Sequence, residues 1–458
     1  MLFTTEWLTT LFANYRGAAA EQNSLFEVAT DSRKKTECSL FVPLSGENFD
    51  GHDYVEQAIN NGAAAVLWQE GRKLPDSVPA GFPVFFVNDT LLALQELAAA
   101  YRQEVNPAVV GVTGSNGKTT TKDMIASVAG SSFRTHFTKG NLNNQIGLPL
   151  TILSMPRGTE VLVVEMGMNH KGEIETLANI ARPDYGVITN IGESHLAYLG
   201  SREGIADAKL EMTKGMPEDG HLIIDGDEPL LRQVSRRERV ITCGFDSMND
   251  IVIKNVNLTK KHTEFQLDTD DELYTIPLLG SHHALNAAFA VTVAGLLKIA
   301  KRDVRQALQS LEWTSMRFEL LEGKNGSSLI NDAYNASPTS MKAAINVVKQ
   351  MEGFKRKVLV LGDMFELGEN AEALHRSAVE NVDQSIDAVL TIGEHATAMA
   401  AAVSDQIDTI DSRHFTSKEA LLHAIETYTA EDTLILFKAS RGMQFESLID
   451  HIMNSPQS

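Results

Sequence analysis

The stretch Gly111-Val112-Thr113-Gly114-Ser115-Asn116-Gly117-Lys118-Thr119-Thr120-Thr121 carries the residue types that hold phosphate. Glycines let backbone N–H groups turn inward around phosphate oxygens, and a helix that starts there adds positive potential. Lys118 is placed to reach a terminal phosphate, and the Thr119 hydroxyl to hold Mg2+. Val112 stands where the strict G-x-x-x-x-G-K-[ST] form has its first glycine. The loop alone leaves ATPase motors, GTPases, kinases and ligases open. Asn-Lys occurs nowhere in the chain, so a guanine-reading N-K-x-D element is absent.

Further polar groups fall where strands are expected to end. Glu165 follows Val161-Leu162-Val163-Val164, and His195 follows Val187 to Ile191 through Gly192-Glu193-Ser194. The carboxyl ends of strands are where open α/β sheets bind ligands, so Glu165 is a candidate metal ligand facing the loop. Asn141, Asn143 and Asn144 form a polar cluster before Gly147-Leu148-Pro149, equally suited to shaping a turn or to holding a ligand. Lys209 lies in a helical segment, where a lysine is by default solvated or ion-paired.

The elements that must position these groups alternate in type. The apolar run Ala108 to Val112 reads as a buried strand feeding the glycine loop, and Met124, Ile125 and Val128 recur at helical spacing after it. Apolar strands and helices then alternate to about residue 312, which argues for a mostly parallel sheet. Residues 250 to 279 depart from this pattern: Ile251 to Leu258 and Glu264 to Leu267 flank the turn-like Thr259-Lys260-Lys261-His262, which predicts an antiparallel flap. Strand candidates Ser328 to Ile330, Lys357 to Leu361 and Thr433 to Phe437, again spaced by helices, predict a Rossmann-like third unit. Before Asn106-Pro107, a boundary signal, short apolar segments and a helix ending near Tyr101 predict a small α/β unit. Residues 1 to 17 read as a first amphipathic helix.

Composition agrees with this division. At roughly 150 residues per domain, 458 residues make about three, expected at 1–105, 106–312 and 313–458. The 43% hydrophobic content excludes a disordered or fibrous chain. A net charge of −20 argues against nucleic acid or an anionic membrane as partner. Cys38 and Cys243 have no CxxC spacing, which fits a reducing compartment. No apolar window is long enough to span a bilayer and no basic leader precedes the first apolar stretch, so a soluble cytoplasmic protein is expected.

Together these residues resemble the Mur ligase family, the ATP-dependent amide-forming enzymes of peptidoglycan precursor synthesis, over essentially the whole chain. The resemblance implies an α/β fold of three domains: a small N-terminal α/β domain, a central P-loop sheet and a C-terminal Rossmann-like domain. It implies ATP contacts at Gly114, Asn116, Gly117, Lys118, Thr119 and Thr120, then at Asn286, Arg317 and Asp332. It implies two Mg2+ ions, held by Thr119, Glu165, His195 and a carbamylated Lys209, with Lys118, Glu165, His195 and Lys209 as the catalytic set. The third domain carries Asp332-Ala333-Tyr334-Asn335-Ala336-Ser337-Pro338, then Leu361 to Gly368 with His375, and Lys438-Ala439-Ser440-Arg441. These look like the family members that add D-alanyl-D-alanine to UDP-N-acetylmuramoyl-tripeptide. Ser337 and His283 stand where asparagine is common in the family.

Substrate contacts so implied are Asn141, Asn144, Asn335, Glu366, His375, Lys438, Ser440 and Arg441. Thr30-Asp31-Ser32-Arg33 and Leu44 to His52 resemble the family's UDP-binding module, which adds Ser32, Arg33 and Gly46. The implied reaction is activation of the tripeptide carboxylate as an acyl phosphate, attack by the dipeptide amine and loss of phosphate, in a monomer whose third domain closes to bring Arg317 and Asp332 to ATP. A folylpolyglutamate synthase is the rival ligase, although its loop typically reads G-K-G-S. A non-catalytic ATP-binding regulator is the rival of another class.

Overall fold

The computed structural model describes residues 1–259, 261–312 and 314–453. Lys260 of the expected turn and Trp313 at the start of the expected third domain lie outside the described residues. The fold is α/β, built on three main sheets.

The first sheet has five strands in the order Tyr15–Arg16, Val84–Val87, Ala63–Gln69, Ser39–Phe41, Glu27–Ala29. All neighbours are parallel except Tyr15–Arg16, which runs against Val84–Val87. The long amphipathic helix expected at the start is instead a helix of five residues, Thr5–Thr9, between the short strands Phe3–Thr4 and Tyr15–Arg16. Thr9 and Thr10 explain its shortness, because their hydroxyls donate to the carbonyls of Glu6 and Trp7 and so offer those groups an alternative to helix continuation.

Helix Thr90–Val105 joins this sheet to the next. Asp89 caps it by accepting from the N–H groups of Leu91 and Leu92, and Asn106 ends it in the left-handed conformation ahead of Pro107. Its buried face, including Leu94, Leu97 and Tyr101, packs against helices Gly147–Leu153 and Glu173–Ala181. The Tyr101 hydroxyl donates to the Met155 carbonyl at 2.8 Å. One apolar cluster therefore runs unbroken from Phe3 and Leu8 to Leu162 and Ile188.

The central sheet has nine strands. From one edge, Thr135–Phe137, Val161–Glu165, Ala108–Thr113, Tyr185–Ile188, His221–Asp225, Val240–Gly244 and Ile251–Leu258 are parallel; Thr263–Leu267 and Leu273–Ile276 follow antiparallel. The region expected as a flap is thus a continuation of the sheet. Phe265, Leu267, Tyr274 and Ile276 account for this: they are buried in the same cluster as helix Ser281–Leu296, and that apolar area would be exposed on a free flap.

The third sheet runs Glu319–Glu322, Ser328–Asn331, Thr433–Lys438, Arg356–Gly362, Ala388–Ile392, Asp411–Phe415, and is parallel except at its first pair. Separate apolar clusters cover its two faces, which is why its inner strands read as unbroken apolar runs. The carboxyl ends of the central and third sheets meet.

Candidate active site

The phosphate loop follows strand Ala108–Thr113 and opens helix Lys118–Gly130. Gly114 (φ +148°) and Gly117 (φ +78°) hold conformations that L side chains rarely adopt. A Cβ on Gly114 would collide with the Thr189 hydroxyl, and one on Gly117 would approach Asn286 Oδ1 at 2.9 Å. Asn190 fixes the loop between these glycines, its Oδ1 accepting from Asn116 N–H at 2.9 Å and its Nδ2 donating to the Asn116 carbonyl at 3.2 Å. The Lys118 ammonium donates to the Gly114 and Ser115 carbonyls, at 2.8 and 3.3 Å. Burial pushes its pKa down, Glu165 opposes that shift, and Arg317 adds to it.

Glu165, the last residue of its strand, is buried and doubly engaged. Thr119 Oγ1 donates to its Oε2 and Asn143 Nδ2 to its Oε1, both at 2.8 Å. Asn143 is therefore the member of the asparagine cluster that touches the expected metal carboxylate. Asn144 lines the cavity but spends its Oδ1 on the N–H groups of Ile146 and Gly147. Asn141 is exposed and outside the lining.

Across the gap, Arg317 Nη2 donates to Thr119 Oγ1 at 2.9 Å. Its guanidinium lies 4.1 Å from the centre of the Tyr334 ring, and Arg441 lies 5.9 Å from that ring. Lys438 Nζ pairs with Asp332 Oδ2 at 2.5 Å and donates to the Asn335 carbonyl at 3.2 Å. Ser337 Oγ donates to Asn116 Oδ1 at 3.1 Å.

These groups enclose a cavity of about 400 Å³. It is lined by the loop from Ser115 to Thr120, by Asn143, Asn144, Glu165, His195 and Asn286, and from the other side by Arg317, Asp332, Tyr334, Asn335 and Lys438. Three of its lining residues carry a buried polar atom with no hydrogen-bond partner among the described residues: Asn116 Nδ2, His283 Nε2 and Arg317 Nε. Buried orphans are rare, and a cluster of them beside a glycine cradle and two cations fits a polyphosphate. For Mg2+ the fit is oxygen from Thr119 and Glu165. No set of three His, Cys, Asp or Glu side chains gathers for a metal among the described residues.

Comparison with known proteins agrees in extent and order. The Mur ligase family, catalytic domain model matches residues 26–102, the Mur ligase middle domain 112–294 and the Mur ligase, glutamate ligase domain 316–441. A UDP-N-acetylmuramoyl-tripeptide--D-alanyl-D-alanine ligase of Bacillus subtilis (strain 168) is 48% identical over 96% of this chain and 95% of its own. The chain belongs to the Mur ligase family. A crystal structure of MurF from Acinetobacter baumannii superimposes with TM-score 0.88 at 29% identity, covering 99% of both chains. MurF ligase from Thermotoga maritima in complex with ADP superimposes with TM-score 0.81 at 29% identity, over 93% of this chain and 96% of that one.

The remaining residues expected of a Mur ligase are placed as follows. His195 has a left-handed backbone (φ +63°), as does Glu366 (φ +62°), and the two side chains meet at 2.6 Å between Nδ1 and Oε2, outside hydrogen-bond geometry. Burial lowers the His195 pKa, against the pull of Glu366. Lys209 is buried on helix Arg202–Leu210 and outside the cavity lining. Burial drives its ammonium pKa well below the ordinary lysine value and Lys118 pushes it the same way; no carboxylate pairs with it among the described residues.

His375 is fully buried behind the site, its Nε2 accepting from Met364 N–H at 2.9 Å and its Nδ1 lying 2.7 Å from the Ala371 carbonyl. Ser440 Oγ accepts from Phe365 N–H at 2.9 Å. Both shape the loop that carries Glu366 and neither lines the cavity. Arg441 is exposed at the rim, paired with Glu446.

Ser32, Arg33 and Gly46 also lie outside the cavity. Ser32 donates to Gln57 Oε1 at 2.8 Å, Arg33 pairs with Asp31, and Gly46 N–H donates to the Phe49 carbonyl. Asn190, Tyr334 and Thr339 are among the lining residues that the sequence does not single out, and Asn143 is singled out there only as one of the asparagine cluster. Asn190 lies within the run Val187 to Ile191 that reads as a strand, and its place beyond a strand end shows only in the structure, where the strand stops at Ile188.

Proposed function

We infer that this Mur ligase is an ATP-dependent amide ligase that joins D-alanyl-D-alanine to UDP-N-acetylmuramoyl-tripeptide, giving the UDP-muramoyl-pentapeptide precursor of peptidoglycan, and that it works in the cytoplasm as a monomer. The observation that carries this reading is one cavity, closed by Thr119 and Glu165 from the central sheet and by Arg317, Asp332 and Lys438 from the third, in a chain so similar to a ligase of that name. Residues 1–105 serve as the UDP-substrate module, 106–312 as the ATP module and 313–458 as the dipeptide side. Ser32, Arg33 and Gly46 are assigned to the UDP end, and Asn335, Glu366 and the Lys438 to Arg441 stretch to the dipeptide side.

The chemical difficulty is bringing the tripeptide carboxylate against a polyphosphate of like charge. Lys118 and Arg317 reach the same space from opposite sides and offset that repulsion by position and charge, as phosphoryl transfer requires. Mg2+, held by Thr119 and Glu165 at one site and by His195 with a carbamylated Lys209 at a second, would neutralise phosphate charge. The setting of Lys209 supports the carbamate. An ammonium buried without a carboxylate favours its neutral amine, the form that adds CO2 and loses a proton to become an anion able to bind metal. The wall formed by the third sheet excludes water from the acyl phosphate until the dipeptide amine attacks and phosphate leaves.

The two rivals are not favoured. Gly117-Lys118-Thr119-Thr120 carries two threonines where G-K-G-S has glycine and serine, and a non-catalytic regulator has no need of a Glu165 that Thr119 and Asn143 both hold. The test is phosphate release from ATP with UDP-muramoyl-tripeptide and D-alanyl-D-alanine supplied singly and together. Turnover that requires both is expected; turnover with either alone would refute the ligase.

A further inference from the structure

Helix Lys118–Gly130 grips more than the nucleotide side of the cavity. Asp123, four residues after Thr119, lies on the same side of the helix and is buried. Its Oδ1 pairs with the buried Lys122 ammonium, which also sits 5.2 Å from the centre of the Phe137 ring. Its Oδ2 accepts from both the backbone N–H of Thr314, at 3.0 Å, and the Thr314 hydroxyl, at 2.9 Å. Thr314 belongs to the segment that leads from the central sheet into the third, and stands three residues before Arg317. That segment is therefore tied to one helix twice, at Asp123 through Thr314 and at Thr119 through Arg317.

The backbone on either side of Arg317 is unusual. Met316 (φ +64°) and Phe318 (φ +53°) are both left-handed, a conformation costly for bulky side chains that persists only where the surroundings over-determine it. Downstream restraint is visible: Met316 N–H donates to Glu319 Oε2 at 2.9 Å and Phe318 N–H to Asp332 Oδ1 at 3.2 Å. The Asp123–Thr314 tie restrains the upstream end.

We propose that Asp123 is a positioning residue: by holding Thr314 it sets Arg317 against Thr119, and so couples the phosphate-loop helix to the third sheet. Its kinetic consequence rests on the ligase reading given above. Asp123 acts through Arg317, so removing its grip matters only while Arg317 is present.

The experiment is a double-mutant cycle in the full chain. Thr314→Val removes one hydrogen bond to a carboxylate from a half-buried segment; Asp123→Asn is the second variant, and Thr314→Val carries the test alone if Asp123→Asn fails to fold. Each is combined with Arg317→Ala. Thr314→Val is expected to lower kcat/KM for ATP about tenfold, the effect of one hydrogen bond to a charged group. It is expected to cause no further loss once Arg317 is alanine. Equal losses in both backgrounds, or wild-type kinetics for Thr314→Val, would overturn the proposal. If the wild-type chain shows no turnover with both peptide substrates, the ligase reading fails, and the same cycle is read on the dissociation constant of Mg2+-ATP by titration calorimetry. Non-additive weakening supports the grip there and additive weakening refutes it.

Discussion

Arg317 and Thr119 meet at 2.9 Å, guanidinium to hydroxyl, although 198 positions separate them in the chain. The same hydroxyl donates to Glu165, so a cation of the third sheet and a carboxylate of the central one are joined through a single oxygen.

Arg317→Ala should therefore cost about 10- to 100-fold in kcat/KM, the worth of a charge-assisted hydrogen bond. Arg317→Lys should recover only part of it, because lysine lacks the planar fork and stacks less well on Tyr334. Steady-state phosphate release measures both, and equal rates for the lysine variant and the wild type would refute the geometric role.

Lys209→Ala should abolish turnover. High bicarbonate should not restore it, since no amine remains to take up CO2, whereas a small added carboxylate should restore part of the rate. Full activity of this variant in Mg2+ and ATP alone would remove Lys209 from the mechanism.

Two glycines in one segment should respond in opposite ways. Gly114→Ala places a methyl group against the Thr189 hydroxyl at φ +148° and should abolish ATP binding in a calorimetric titration. Gly130, at the end of the helix that this loop opens, has open space where its Cβ would stand; Gly130→Ala should bind ATP normally and gain about 0.4–1 kcal/mol of stability. ATP binding retained by the first variant would mean that the loop tolerates a different shape.

The pH dependence of stability should show Asp225. Burial, reinforced by Asp227 and Glu228, raises its carboxyl from 3.8 to about 7, against the Asp227 N–H that it accepts. The folded form holds the proton more tightly than the unfolded one, so the stabilisation is fully present below pH 3.8 and is lost as pH rises through about 7. Asp225→Asn should flatten this profile, and wild type relative to variant should lose on the order of 2 kcal/mol between pH 4 and 8. Parallel unfolding profiles of the two proteins would refute the assignment.

The fold is most legible in the sequence where local pattern carries the physics. A strand, a glycine turn and a helix are near neighbours in the chain, and the run from Ala108 to Val128 shows all three. It is less legible where local signals compete. The first helix stops early because threonine hydroxyls take its carbonyls, and the expected flap joins the sheet because its apolar side finds helix Ser281–Leu296. Among the asparagines, composition could not separate Asn141, Asn143 and Asn144, since only the position of Glu165 decides which one bonds to it. His375 looked like a ligand by its motif and is a buried support for Met364.

The residues by themselves determined a phosphate loop, alternating elements of an α/β fold and an order of motifs that resembles the Mur ligases, because glycine, proline and apolar periodicity act over a few positions. What only the tertiary structure decided is who meets whom: Thr119 with Glu165, Arg317 with Thr119, Thr314 with Asp123, and Lys209 with no carboxylate among the described residues. Those contacts join segments tens to nearly two hundred residues apart, and they are fixed by the packing of whole sheets and helices, which no local pattern in the chain encodes.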